Sequence, residues 1–159
     1  MMEKVCDIPA KRAAARTPEE AQALKLWVVL SRAKSAVQDL ADEDIGRHGL
    51  STGEFAILET LYHKGPLLLG EVQRKILASS GGVTYLVDRL AQQGLVERRE
   101  CATDRRARYA ALTSAGEALM ERIFPLHAAV IAEAMAGLNA DEKAAAIALL
   151  KKLGLSAKE

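Results

Sequence analysis

The chain has 159 residues, half of them apolar, and its 22 Lys and Arg nearly balance 21 Asp and Glu, for a net charge of +1. This length supports one domain with a substantial hydrophobic core, so folding requires neither disulfides nor metals. The two cysteines, Cys6 and Cys101, lie far apart in sequence, and the N-terminus lacks an apolar stretch of signal-peptide length. We therefore expect a cytosolic protein without a disulfide framework or a membrane span.

The N-terminal part of the chain predicts an arm followed by a long helix. Residues 1–16 are expected to form a flexible arm. Pro18, Glu19 and Glu20 are typical of a helix start. Apolar residues then recur at spacings of three and four, namely Leu26, Leu30, Ala33, Val37 and Leu40. This pattern predicts a helix over about 17–40 with one apolar seam.

A second helix is predicted after residue 50. Ser51 and Glu54 have the spacing of a capping box, in which each side chain binds the other residue's backbone N–H. The apolar stripe that follows consists of Phe55, Leu58, Leu61 and Tyr62, and Gly65 and Pro66 end the helix. Residues 67–69 then predict a short strand, and residues 70–76 a helix that buries Val72 and Ile76.

The next helical pattern has one face for a core and one face for contact. Its apolar positions are Val83, Leu86, Val87 and Leu90. Ser79 and Ser80 can cap its first turn, and Gly81 and Gly82 lack bulk, so this helix start can approach a phosphate or a base edge closely. The outward side carries polar groups that can recognise a base sequence, namely Gly81, Thr84, Tyr85, Asp88 and Gln92, with Arg89 at the margin.

A basic hairpin follows that helix. Gly94 ends the helix, residues 95–99 begin a strand, and residues 108–112 return after a polar tip. The hairpin carries Arg98, Arg99, Arg105, Arg106 and Arg108. From residue 70 to 112 the net charge is +3, and in the rest of the chain it is −2. An arginine-rich hairpin alone can be a solvated sheet edge, but directly after a helix pair it indicates a winged helix-turn-helix that binds duplex DNA.

The C-terminal residues predict two further helices. Leu119, Ile123, Leu126 and Val130 share one face, interrupted by Pro125, which we expect to kink the helix. Asn139 and Glu142 fit a capping box before Ile147, Leu150 and Leu153. These helices can pack within the chain, but a winged unit of about sixty residues cannot cover three extra apolar helices. A homodimer is therefore the favoured interpretation.

Four segments together resemble the MarR family of bacterial transcriptional regulators: residues 82–90 (GVTYLVDRL), 94–99 (GLVERR), 104–106 (DRR) and 112–116 (LTSAG). The resemblance implies a mainly α fold with a small β-hairpin wing, hence α+β, forming one domain over 17–159. Within it the winged helix-turn-helix covers about 51–116. The dimerisation helices, about 17–40 and 117–155, would interleave between two subunits. The two recognition helices would lie about one DNA turn apart, roughly 34–36 Å, on a pseudo-palindromic operator. Binding there would repress transcription.

The resemblance also implies roles for single residues. Those facing the major groove are Ser80, Gly81, Thr84 and Tyr85. Arg105 and Arg106 at the wing tip would reach the minor groove or its phosphates, oriented by Asp104. Many relatives have a basic residue where this chain has Ser80 and Tyr85, and often a glycine where it has Leu77. The base preference therefore cannot be transferred.

No catalytic, cofactor or metal site is expected. The three histidines, His48, His63 and His127, lack ligand spacing, and the sequence contains no phosphate loop, zinc signature or nucleophile motif.

Two modes of control are open. The resemblance implies release from DNA by a phenolic or other aromatic ligand, for which the candidate cleft residues are Trp27, His48, Phe55 and Tyr62; the alternative is that Trp27 only packs. The second mode is a thiol switch. The arginines near Cys101 would make it oxidisable, and Cys6 could be its partner across the dimer; the alternative is an incidental surface cysteine.

Overall fold

A computed structural model describes residues 16–76, 80–100 and 108–157. In chain order the elements are α1 (Pro18–Arg47), α2 (Thr52–Lys64), β1 (Leu67–Leu68), α3 (Leu69–Ile76), α4 (Ser80–Gln92), β2 (Val96–Glu100), β3 (Arg108–Leu112), α5 (Ser114–Ala134) and α6 (Ala140–Ser156). The predicted mainly α architecture with a small antiparallel sheet is therefore confirmed. The predicted arm falls, but for its last residue, outside the described residues.

The chain divides after Ala36 into two units. In the first unit, α1 begins with a capping box: the Thr17 N–H donates to Glu20 Oε2 (2.8 Å) and the Glu20 N–H donates to Thr17 Oγ1 (3.1 Å). Five large apolar side chains of this part are exposed in the single chain, namely Leu24, Leu26, Trp27, Val28 and Val29. The helix start is where the sequence predicted it, and an apolar surface runs along this part of α1.

In the second unit α1 continues to Arg47, beyond its predicted end at residue 40. The reason is that Ala41 and Ile45 extend the helical spacing and are buried there. Gly49, at φ +74°, lies in the turn that leads to α2. The last turns of α1 thus belong to the hydrophobic core, as the interpretation of packing within the chain allows.

The core of the second unit is formed by the end of α1, by α2, α3, α4 and α5, and by the sheet. The predicted stripes of α2 and α4 point into it. Its buried members include Phe55, Leu58, Leu61, Val72, Val83, Val87, Leu90, Val96, Ala110, Met120 and Ile123. Tyr62 and Ile76 are half-buried against this core. Burial of one face of α4 leaves its opposite face available for contact.

The sheet has the strand order β1-β3-β2, and both pairs are antiparallel. Val96 pairs with Leu112 and Glu100 with Arg108, as the predicted hairpin requires. Leu67 pairs with Ala110 at the other edge of β3. Leu69 is the first residue of α3 instead of the last of β1, so the predicted three-residue strand is one residue too long.

The start of α5 fastens the sheet to the end of α4. Thr113 caps α5 by accepting from the Gly116 N–H (3.1 Å), and its hydroxyl donates to the carbonyl of Gly94 (2.6 Å). Its own N–H donates to the carbonyl of Leu95 (3.1 Å). A Cβ on Gly116 would collide with that same Leu95 carbonyl oxygen. These contacts explain why threonine and glycine occupy their positions in the LTSAG segment.

A buried pair joins the end of α1 to α5. Asp44 and His127 are both almost fully buried, and His127 Nδ1 lies 2.9 Å from Asp44 Oδ2. The His127 ring also packs on Phe55, with 4.5 Å between the ring centroids. This hydrogen bond satisfies a carboxylate that would be costly to bury alone.

The two C-terminal helices differ in burial. α5 is continuous across Pro125 and buries Met120 and Ile123. α6 begins with the predicted capping box of Asn139 and Glu142 and has no buried residue. None of the described helices combines the length and apolar character that crossing a membrane would require.

Candidate nucleic-acid interface

The exposed face of α4 carries the side chains that the helical spacing placed there. Thr84, Tyr85, Asp88, Arg89 and Gln92 are all exposed. Tyr85 has 61% of its surface accessible, an unusual exposure for a large aromatic side chain. A tyrosine in this position offers a flat ring and a hydroxyl to whatever the helix contacts.

Arg89 lies between this face and the interior. Its guanidinium carbon is 5.9 Å from the centroid of the Tyr85 ring, within the range of a cation–π contact. On its other side Arg89 Nη2 lies 3.3 Å from Oε1 of Glu54, a carboxylate in α2 whose side chain is 1% exposed. The exposed face of α4, formed by Thr84, Tyr85, Asp88, Arg89 and Gln92, is called the reading face below. Its margin at Arg89 is thus linked to the buried charge of Glu54.

The pKa of Glu54 is held below its usual value. Burial by itself raises the pKa, because it disfavours the charged form. The hydrogen bonds from Ser51, the positive charge of Arg89 and a hydrogen bond from Gln93 together outweigh this effect. Glu54 is therefore a carboxylate at neutral pH, despite its burial.

The arginines at the base of the hairpin have carboxylate neighbours. Arg98 Nη2 lies 2.6 Å from Asp88 Oδ1, an ion pair whose angles fall short of an aligned hydrogen bond. Arg99 donates from Nε to Glu97 Oε1 at 2.7 Å. Asp88 is exposed on α4, as the sequence predicted, and its carboxylate is paired with Arg98 of the sheet. The pair ties α4 to β2 and reduces the positive charge at the base of the hairpin.

Several predicted site residues lie outside the described residues. These are Ser79, Asp104, Arg105, Arg106, Leu77 and both cysteines, Cys6 and Cys101. Ser80 and Gly81 form the start of α4, where the sequence predicted it, and only their backbone is described. Their roles stay predictions.

The four residues predicted to line a ligand cleft have different surroundings. Trp27 belongs to the first unit and is 66% exposed. Phe55 is buried in the core of the second unit. His48 lies next to Asp44, with 3.9 Å between Nε2 and Oδ1, and Tyr62 packs against the rings of His63 and Phe124.

Sequence reasoning identified Glu54 only as a capping residue and gave no role to Asp44 or to the pairing of His127. A periodic pattern shows which face of a helix is buried, but not which charged residue of another helix lies opposite. In the described part of the chain, no group of three His, Cys, Asp or Glu side chains is placed to hold a metal ion.

The chain is similar to known transcriptional regulators. A model of the MarR family matches residues 48–107. The HTH-type transcriptional regulator MhqR of Bacillus subtilis is 44% identical over 138 residues, which cover 87% of this chain and 95% of MhqR. The chain belongs to the MarR family. It is a DNA-binding transcriptional regulator, not an enzyme.

Solved structures of MarR family regulators have the same fold. A mutant MarR of E. coli in complex with operator DNA is 25% identical, with a TM-score of 0.75 over 83% of this chain and 95% of that one. BpsR of Bordetella bronchiseptica, whose DNA binding is regulated by 6-hydroxynicotinic acid, is 25% identical, with a TM-score of 0.74 over 82% of this chain and 98% of its own.

Proposed function

We propose that the protein is a cytosolic, homodimeric repressor that binds a pseudo-palindromic operator, with α4 in the major groove and the wing tip at the minor groove. The observation that carries this proposal is the exposed face of α4, where Tyr85 and Thr84 lie opposite a face that buries Val83, Val87 and Leu90. The proposed contacts in the major groove come from Ser79, Ser80, Gly81, Thr84, Tyr85 and Arg89, and those at the wing tip from Arg105 and Arg106, oriented by Asp104.

The two sets of contacts have different physical roles. Arginines at the wing tip would attract phosphates of any sequence, whereas hydroxyls and an aromatic ring on α4 would contact base edges. Arg105→Ala should therefore weaken binding to all duplexes and lower the slope of log affinity against log salt by about one. Tyr85→Ala should mainly reduce discrimination between sequences.

The experiment begins with selection of a preferred duplex from random-sequence DNA by the wild-type protein. Fluorescence anisotropy then measures Kd for this duplex and for an unrelated one at several salt concentrations. Arg47→Ala is the matched control, because Arg47 is an exposed arginine paired with Glu43 on α1. If Arg105→Ala behaves like Arg47→Ala at every ionic strength, the proposed role of the wing is wrong.

The homodimer is supported by two apolar surfaces of the single chain. One is the exposed apolar surface in the first part of α1. The other lies on α6, which has no buried residue and exposes Ile147, Leu149, Leu150, Leu153 and Leu155. Exposed apolar surface of this extent marks association sites, and we propose that a second copy covers each surface.

Sedimentation equilibrium tests the dimer. Leu150→Glu should shift the protein towards monomer, because the dimer would bury a charge at that position. Ala136→Glu adds the same charge in the turn after α5 and should leave the dimer intact. A wild-type protein that sediments as a monomer at micromolar concentration would contradict the proposal.

We further propose that a small aromatic ligand releases the operator. One support is the Phe55 ring, which packs on His127, the partner of Asp44 near the C-terminal end of α1. The others are the exposed Trp27 and the regulation of the related BpsR by an aromatic acid. Such a ligand must bind better to a dimer whose recognition helices are spaced wrongly for DNA. Titrating phenols and 6-hydroxynicotinic acid while following Trp27 fluorescence should give a saturable change; a flat response to all of them argues against this effector class.

The thiol switch is the alternative control. Arginines close to Cys101 in sequence would favour its oxidation, but Arg98 and Arg99 each have a carboxylate neighbour that offsets their positive charge. If Cys101→Ser keeps its DNA affinity under peroxide while the wild type loses it, the thiol mechanism replaces the ligand mechanism.

A further inference from the structure

We propose that Glu54, which lies away from the reading face, is a positioning residue for DNA recognition: its buried carboxylate fixes α4 through Arg89 and Gln93, and Arg89 in turn holds Tyr85. The inference rests on the proposed role of α4 in reading DNA. The two carboxylate oxygens of Glu54 contact different parts of the protein. Oε2 accepts from the N–H of Ser51 (2.9 Å) and from its hydroxyl (2.8 Å), while Oε1 faces Arg89 and Gln93 at 3.3 Å each.

Capping α2 does not explain why this carboxylate is buried. The chain contains the same reciprocal box at two exposed helix starts, formed by Thr17 with Glu20 and by Asn139 with Glu142. A glutamate can therefore cap a helix of this protein from the surface. Burying the charge of Glu54 costs free energy unless it is paired, and its second oxygen is paired with α4.

The attachment to α4 has two points. Gln93 directly follows the last residue of α4, and its N–H donates to the Arg89 carbonyl (3.0 Å), so it lies one turn beyond Arg89 on the same side. Both side chains reach Oε1 of Glu54. Next to Glu54, a Cβ on Gly53 would lie 2.7 Å from Cδ1 of Leu86, which shows how closely the first turn of α2 approaches α4. Two polar contacts beside a close packing contact restrict both rotation and sliding of α4.

The effect reaches the reading face through Arg89. Its guanidinium is shared between Glu54 and the Tyr85 ring, which is the large aromatic group that α4 exposes. Glu54 also offsets part of the charge of Arg89. Removing the negative charge should therefore free Arg89 to attract any phosphate while Tyr85 loses its fixed orientation. Affinity for unrelated DNA should stay equal or rise, while preference for the selected duplex should fall.

Glu54→Gln isolates this role. Glutamine serves at the same position of a capping box and has nearly the same volume, so the start of α2 is kept. It cannot offer Arg89 a negative charge. Anisotropy at one salt concentration should show the ratio of Kd for an unrelated duplex to Kd for the selected duplex fall about tenfold, or about 1.4 kcal/mol, which lies between the values typical of an exposed and of a buried ion pair.

Glu142→Gln is the matched control, because it makes the same change in an exposed capping box and should leave the ratio unchanged. An unchanged ratio in Glu54→Gln would overturn the proposal. This includes equal weakening of binding to the two duplexes, because a loss of folded protein changes both Kd values by the same factor. If Glu54→Gln does not fold, Gln93→Met removes the other contact to Oε1 at an exposed residue that is not a proposed DNA contact, and it should also lower the ratio.

A double-mutant cycle tests the route through Arg89. In the Arg89→Gln background, Glu54→Gln should lower the ratio little further; an equally large additional loss would show that Glu54 does not act through Arg89. The result for Tyr85→Ala separates this inference from the proposed function. If that variant lowers the ratio and Glu54→Gln does not, only the positioning role fails; if the wild type never discriminates between duplexes, the proposed function fails.

Discussion

Gly116→Ala should destabilise the protein, although alanine is the better helix former. Gly116 is in the first turn of α5, and a methyl group there would collide with the carbonyl oxygen of Leu95. That oxygen belongs to the backbone between α4 and β2, so no side-chain rotation can relieve the collision. Either α5 or the turn after α4 must move.

The size of the effect follows from what that movement breaks. The Leu95 carbonyl accepts from the Thr113 N–H (3.1 Å), and the neighbouring Gly94 carbonyl accepts from the Thr113 hydroxyl (2.6 Å). Losing one of these bonds costs about 1 kcal/mol, and the overpacking itself about 1–3 kcal/mol. The higher helix propensity of alanine returns about 1 kcal/mol. We expect a net loss of about 2 kcal/mol, which for a chain of this length lowers Tm by about 4–8 °C.

Urea unfolding followed by circular dichroism measures this loss, at one fixed protein concentration because dimerisation would make stability depend on concentration. Gly46→Ala is the matched control: Gly46 is near the end of α1, and a Cβ there meets nothing within 4 Å. It should raise stability by about 0.5–1 kcal/mol. A Gly116→Ala protein as stable as the wild type, or shifted in the same direction as Gly46→Ala, would show that the Leu95 carbonyl does not exclude a side chain at residue 116.

Three further predictions concern buried or capping groups. His127→Phe should lower the free energy of unfolding by about 2 kcal/mol, because Asp44 keeps its burial but loses this hydrogen bond; urea unfolding that matches the wild type would contradict this. Thr113→Val should cost about 2 kcal/mol, because it removes both the cap of α5 and the hydrogen bond from the Thr113 hydroxyl to the Gly94 carbonyl; an unchanged unfolding midpoint would show that both are dispensable. The lowered pKa of Glu54 means that its ionised form stabilises the fold above the ordinary value of 4.5, and that this contribution is lost as the pH falls through the lower folded-state pKa. The stability advantage of the wild type over Glu54→Gln should therefore shrink as the pH is lowered from 5 to 3, and an advantage independent of pH would rule this out.

Local signals in the sequence predicted most of the elements. The capping boxes at Ser51 and Asn139 and the glycine at 94 marked helix ends that the structure has at or next to the same residues. The stripe of α4 predicted both its buried face and its exposed one. These features could be predicted because each depends on residues only a few positions apart, and helical spacing or a cap acts over that distance.

Tertiary structure decided which polar and charged side chains contact each other. Glu54 and Gln93 are 39 positions apart, and Asp44 and His127 are 83 apart. The sequence showed the basic character of the hairpin, but only the packing of α4 against β2 directs Asp88 to Arg98. Likewise the apolar surfaces of α1 and α6 have spacings like those of the core helices, yet the described chain leaves α6 exposed. The physical reason is that periodicity records which side of an element avoids water, whereas an ion pair or a packed face depends on which other element lies within a few ångströms of it.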